Sequence, residues 1–287
     1  MTSSLRFQVF GSLSYEISSP ATIIAALHGM QTPGQTVYNE LFTINPNASW
    51  ELLSCGPGGN RFARIRIGSS GPTTLNYSAD VLINVLRVPQ GELPILGPDQ
   101  LPADVIPYLF PSRYCQSDML RTEAANLVNA DDSPYDKVLT IAQWIFENIQ
   151  YVSGSTNEQS SAIDVMEQRQ GVCRDFAHLG ITLCRALTIP ARYTTVYAYQ
   201  LEPQDFHACF EVNIGGQWLL FDASGLAPLN GMIRISTGRD ASDTAVASLF
   251  GNIQGTGLSV NCQSLDENFT PITRESLHES NTALILP

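Results

Sequence analysis

From Leu5 to about Val88 the chain alternates short β-prone runs with turn residues, and no stripe of period 3.6 forms. The runs are Leu5 to Val9, Ser12 to Ile17, Ala21 to Leu27, Tyr38 to Ile44, Arg61 to Ile67 and Val81 to Val88. Between them stand Pro33-Gly34, Pro46-Asn47, Gly56-Pro57-Gly58-Gly59 and Gly71-Pro72. Strands at this spacing predict a small antiparallel sandwich. Pro89 to Pro111 then gathers six prolines with Gly91 and Gly97, the composition of a linker. This linker is expected to pack across the downstream domain.

Helical periodicity takes over next. Ser133-Pro134 opens a helix as N-cap and first-turn proline, and Val138, Ile141, Ile145 and Ile149 recur on one face. Ser161 caps a short helix through Arg169. A third runs from Cys173 to Leu187, stopped by Pro190, with Phe176, Gly180, Leu183, Cys184 and Leu187 inward. After Pro190 the period becomes two. Arg192 to Tyr199, His207 to Ile214 and Gln217 to Asp222 read as strands, the last two joined at Gly215-Gly216. From Ala223 onward the pattern is weak and predicts edge strands and long loops. Helices followed by an antiparallel sheet make an α+β arrangement, so the expected division is a β-rich domain at 1–90, a linker at 91–118 and a second domain at 119–287.

Composition narrows the function classes. With 44% hydrophobic and 15% charged residues the chain is globular, not disordered. A net charge of −12 argues against a nucleic-acid surface. No apolar run reaches the roughly 20 residues that span a bilayer, so no membrane partner is expected. Met1 to Phe10 does not read as a signal peptide, and a cytoplasmic location is the expectation. Cys55, Cys115, Cys173, Cys184, Cys209 and Cys262 are dispersed without a C-x-x-C pair, the pattern of free thiols in a reducing compartment.

One of those thiols stands apart. Cys173 follows Gly171-Val172 at a helix start, outside the apolar stripe that holds Cys184. The helix dipole and unpaired N–H groups there favour a thiolate and can receive a developing oxyanion, and Arg174 adds positive charge next door. A thiol nucleophile also needs a base and a carboxylate to orient it. Only four histidines exist. His178 lies ~140° around the helix from Cys173 and reads as a satisfied core histidine; His28 has no catalytic partner nearby in the sequence. His207 passes a register test. If Gly215-Gly216 is a two-residue turn, paired residue numbers sum to 431. Cys209 then opposes Asp222, and His207 is its diagonal neighbour on the same face. The other face receives Phe210, Val212, Leu219 and Phe221. Cys173, His207 and Asp222 could alternatively hold zinc, but the arginine beside the cysteine argues against a cation; no metal or cofactor is expected.

Gly-Val-Cys-Arg-Asp-Phe-Ala-His-Leu, Arg-Ala-Leu-Thr-Ile-Pro-Ala-Arg-Tyr, Asp-Phe-His-Ala and Gln-Trp-Leu-Leu-Phe-Asp-Ala-Ser together resemble the bacterial transglutaminase-like family of cysteine proteases. The resemblance covers about Tyr135 to Asp243, including Gly238-Arg239-Asp240, and the N-terminal segment looks like the β-domain that often precedes this core. It implies a papain-like core with Cys173 as nucleophile, His207 as general base and acid, and Asp222 as orienter. Two positions depart from the family pattern: Cys209 stands where tryptophan is common, at the cleft wall, and Ala223 where proline is common. The implied activity is acyl transfer through a thioester on a peptide or protein substrate. Hydrolysis is favoured, because a cytosolic cross-linker would endanger its own cell and no calcium loop of alternating acidic ligands is present. A glutamine amine transferase and a non-catalytic peptide-binding module are the alternatives. Tyr151 or another upstream polar side chain is left to complete the oxyanion hole, and the oligomeric state stays open.

Overall fold

The structure, a computed structural model, describes residues 2–56 and 59–287. The expected turn at 56–59 therefore lies partly outside the described residues. Strands β1 (Thr2–Ile17), β2 (Ala21–Ala25), β3 (Gln35–Asn45), β4 (Ser49–Cys55), β5 (Asn60–Ile67) and β6 (Gly71–Pro89) come first. Helices α1 (Arg121–Leu127) and α2 (Pro134–Asn148), the short β7 (Gln150–Tyr151), α3 (Ala162–Gln168), β8 (Gln170–Gly171) and α4 (Cys173–Ala186) come next. The chain closes with β9 (Ala191–Ala198), β10 (Phe206–Ile214), β11 (Gln217–Phe221), β12 (Met232–Gly238), β13 (Ala247–Phe250), β14 (Ile253–Ser264), α5 (Arg274–Glu279) and β15 (Thr282–Ile285). The fold is α+β: a β-rich N-terminal half, then helices packed on a curled antiparallel sheet. No helix among the described residues is long and apolar enough to cross a membrane.

Several expected elements take a different form. The two runs at 5–9 and 12–17 are one strand, β1. Gly11 interrupts them in sequence for a packing reason, since a Cβ there would lie 2.9 Å from the Tyr197 hydroxyl oxygen. β4, with Trp50 and Leu52 half-exposed, carried no clear alternation and was not expected. The tail forms regular strands. β14 pairs with β1, β13 with β2, and β15 lies between β11 and β6.

Those pairings link the halves. One nine-stranded sheet runs β12-β9-β10-β11-β15-β6-β1-β14, with β3 also on β6, and a four-stranded sheet runs β13-β2-β5-β4. One apolar core joins Phe7, Ile23, Leu75 and Tyr77 of the N-terminal strands to Tyr197, Met232 and Ile233. A second packs Ile141, Ile145, Leu179 and Leu183 of α2 and α4 against Phe210 and Leu219. α2 starts as expected: the Ser133 hydroxyl oxygen accepts the Asp136 N–H at 3.1 Å, satisfying one orphan donor of the first turn. The proline-rich segment is packed down, with Tyr108 edge-on to Trp218.

The outer edge of β12 is closed by side chains. Gln35 donates to the Met30 and Arg234 carbonyls at 2.9 and 2.7 Å and accepts the Arg234 N–H at 2.8 Å. Asn60 likewise donates to the Thr237 carbonyl at 2.7 Å and accepts its N–H at 2.9 Å.

Candidate active site

Three elements converge on Cys173. It is the first residue of α4, after Val172 in extended conformation, and its side chain is partly exposed. The start of that helix is closed by Asp175, whose Oδ2 accepts the Val172 N–H at 2.9 Å. Gly171 permits this, because a Cβ there would lie 2.7 Å from the Asp175 Cβ. Arg174 stands next to the thiol in sequence, and its guanidinium is held by other partners. Its guanidinium donates to Asp175 at 3.1 Å and to the Asn157 carbonyl at 2.6 Å, pinning the preceding loop.

His207 and Asp222 come from the β10–β11 hairpin. Gly215 and Gly216 both take positive φ, the geometry of a two-residue turn that follows the strand twist. The register pairs Phe210 with Phe221 and Val212 with Leu219, the sum of 431 expected from the sequence. His207 therefore lies diagonal to Asp222, and its Nε2 sits 2.9 Å from Asp222 Oδ2. Nδ1 is the ring nitrogen left to serve Cys173, whose charge also raises the imidazole pKa. The other carboxylate oxygen, Oδ1, accepts the Ser224 N–H at 2.8 Å and its hydroxyl at 2.7 Å. Both carboxylate oxygens are thus satisfied, as burial demands.

The electrostatics arise from burial and charge together. Burial alone would lower the His207 pKa, but the Asp222 charge and hydrogen bond, with Cys173 beside it, raise it to about 10. Burial would raise Asp222, yet His207 and the two Ser224 donors hold its carboxyl below the usual range. The two shifts run in opposite directions, and both favour the charged pair of imidazolium and carboxylate.

Two tyrosines border the thiol that sequence reasoning did not fix. Tyr151 is placed by the two-residue parallel ladder of β7 with β8, where it pairs with Gly171. Burial first, then the charge of Cys173, raise its pKa to about 12. Tyr193 on β9 is buried, and burial first and then Cys173 push its hydroxyl well up. Tyr151 sits on a ladder with no periodicity to read; Tyr193 lies on a predicted strand, but its approach depends on how α4 docks. Ser224 was not singled out in the sequence; the signal that could have found it is a serine two residues after an aspartate, the spacing of an Asx turn.

The remaining expected positions are accounted for elsewhere. His178 is fully buried, stacked on Tyr114 at 4.9 Å, and accepts the Ala241 N–H on Nε2 at 3.1 Å. Burial lowers its pKa to about 3, so it stays neutral. Gly238-Arg239-Asp240 belongs to a strap behind α4. Asp240 accepts the Tyr114 and Ser242 N–H groups at 2.9 Å each, and the Arg239 carbonyl accepts Arg185 at 2.6 Å. Cys209 is buried, its Sγ 3.8 Å from the Thr194 carbonyl oxygen, and forms no exposed wall. A hollow of about 440 Å³ opens beside Asp222, between Phe146, Leu226, Pro228 and Arg274. Among the described residues no group of three or more His, Cys, Asp and Glu side chains is spaced to hold a metal ion.

Comparison with known proteins agrees with this architecture. Residues 5–87 match the family model of the bacterial transglutaminase N-terminal domain, and residues 121–223 that of the transglutaminase-like superfamily core. The crystal structure of a protein described as a putative cysteine protease from Cytophaga hutchinsonii superposes with a TM-score of 0.94 at 45% identity, over 100% of this chain and 99% of that one. An uncharacterized protein of Mycobacterium leprae is 28% identical over 158 residues, 52% of this chain. The match spans only 56% of that curated relative's length. The chain belongs to the bacterial transglutaminase-like family.

Proposed function

We propose that the protein is a cysteine acyl-transfer enzyme that hydrolyses a peptide or carboxamide bond in a peptide or protein. The observation that carries this reading is the buried His207–Asp222 pair, 2.9 Å apart, beside a cysteine at a helix start whose charge acts on the imidazole. Cys173 Sγ attacks the carbonyl carbon, and the oxyanion forms against the first turn of α4, where backbone N–H groups and the dipole favour negative charge. Tyr151 stands beside that turn and is the candidate additional donor. The tetrahedral species collapses as His207 gives its proton to the departing amine, so the C–N bond breaks and a thioester remains. Water then attacks the thioester, His207 takes its proton, and the thiolate leaves with the acid as product. The described cysteine-protease character of the Cytophaga hutchinsonii relative supports hydrolysis over transfer.

The test begins without a substrate. Iodoacetamide labelling at pH 7, resolved cysteine by cysteine, should modify Cys173 faster than the exposed Cys55, and His207→Ala should remove that advantage. On a carboxamide substrate identified by screening, Cys173→Ala should lose at least about 10⁴-fold in kcat while melting at the same temperature. Full activity in that variant would falsify the nucleophile assignment. Adding a primary amine separates the reactions: an amide product at the expense of the acid identifies transfer instead of hydrolysis.

A further inference from the structure

Away from the cysteine, the same sheet carries a second polar constellation. Glu211 on β10 is completely buried, facing Arg192 on the adjacent β9 and Arg234 on β12, one strand further along the sheet. Arg192 on β9 donates Nε to Glu211 Oε2 at 2.7 Å, and Arg234 on β12 places Nε 3.3 Å from Oε1. Thr194 adds a hydroxyl at 3.3 Å. One carboxylate thus faces two guanidinium groups, leaving one positive charge uncompensated within the cluster. Arg234 is 3% exposed, and its Nη2 is buried with no hydrogen-bond partner. An unpaired buried donor on a charged group is destabilising, and an uncompensated buried cation is disfavoured.

Both arginines line a cavity of about 240 Å³ where three parts of the chain meet. The loop at 30–33 forms one side, the β10–β11 turn with Trp218 another, and the C-terminal residues 285–287 the third. The Arg192 guanidinium lies 4.1 Å over the Trp218 ring, which fixes its plane. Met30, Pro33, Ile285 and Leu286 supply apolar walls.

We infer that this cavity binds a carboxylate carried on a small apolar body, with Arg192 and Arg234 as its partners. The net charge of the cluster matches a monoanion, and the planar forks of arginine match a carboxylate. The site is separate from the acyl cleft: Glu211 lies four residues beyond His207 along one strand, ~13 Å at 3.3–3.4 Å per residue. The inference does not depend on the acyl-transfer reading.

The experiment is calorimetric titration of the full chain with 3-methylbutanoate at constant ionic strength, against chloride and inorganic phosphate, with melting temperatures measured alongside. Saturable binding of 3-methylbutanoate, accompanied by a rise in melting temperature, is expected. Two variants move it in opposite directions, which general damage to the fold would not do. Arg192→Gln leaves the cluster neutral and should weaken binding about tenfold or more. Glu211→Gln leaves two positive charges and should tighten it by a similar factor. Alkylating Cys173 should change nothing. No saturation by about 50 mM, where even a millimolar site would be filled, overturns the assignment. So does binding that both variants leave untouched, binding lost on alkylation, or binding of phosphate alone.

Discussion

Asp222 serves two partners with its two oxygens, His207 through Oδ2 and Ser224 through Oδ1. That division fixes the carboxylate and, through it, the orientation and charge of the imidazole ring. In Asp222→Asn an amide N–H2 faces Nε2 and the imidazolium loses its counter-charge, so His207 no longer holds the Cys173 proton away from the thiol. We expect kcat to fall by about 10⁴-fold, measured on the same substrate as the wild type. The variant also changes pH dependence. Asp222 raises the His207 pKa to about 10 against ~6.5 in an unfolded chain. The folded state holds that proton more tightly, so the contribution to stability is complete below ~6.5 and is lost as pH rises through about 10. Melting temperatures between pH 6 and 10 should therefore decline more for the wild type than for the variant. An equal decline would show that the pair is not charged in the fold. At this scale much was readable beforehand. Few residues can act as nucleophile, base or orienter, and the period of two across a Gly-Gly turn specified which faced which. The direction of Arg174 was not readable, because a side chain beside a cysteine can turn to Asp175 with no trace in the sequence.

Among the elements, α4 and the β10–β11 hairpin set the distance between thiol and imidazole, and they touch where α4 has no side chain. A Cβ on Gly180 would lie 2.7 Å from the buried Phe210 ring. Gly180→Val should push α4 off the sheet, cost about 1–3 kcal/mol by overpacking, and depress kcat because Cys173 moves with the helix. Ser133→Ala is the control. It removes the cap of α2, costs about 1 kcal/mol, and should leave kcat unchanged, since α2 carries none of the reacting side chains. Chemical denaturation and steady-state kinetics on both variants check the contrast; parallel kinetic losses would disprove the spacing argument. α2, α4, β9, β10 and β11 were legible because each has a cap or a clean period. β4 was not, since an edge strand with half-exposed Trp50 and Leu52 has little alternation to show.

Over the whole molecule, the shared core ties the halves more firmly than the proline-rich segment implies. Tyr77 stacks near Tyr197, whose hydroxyl donates to the Leu27 carbonyl at 2.7 Å. A single calorimetric transition is expected on heating. Its acid limb should reflect His28 and His178, one in each half. Burial lowers them to about 4 and about 3, below ~6.5 in the unfolded chain. The unfolded state then binds more protons, and stability falls as pH drops below ~6.5. His28→Gln and His178→Gln should each make the same transition less acid-sensitive; two transitions responding separately would show independent halves. The pairings that join the halves escaped sequence reading because they span great separations, such as Phe7 with Ser264, and long-range partners leave no local pattern. The closed edge of β12 has a further consequence. Its outward backbone groups are answered by the carboxamides of Gln35 and Asn60, with the Met30 N–H also on the Arg234 carbonyl at 2.9 Å, a substitute for the neighbouring strand that would otherwise invite a second molecule. Deamidation turns such a group into a carboxylate, which can no longer donate to the facing carbonyl. Ageing at either position, a change of about one dalton, would therefore uncover a docking edge for self-association while leaving every group around Cys173 chemically intact.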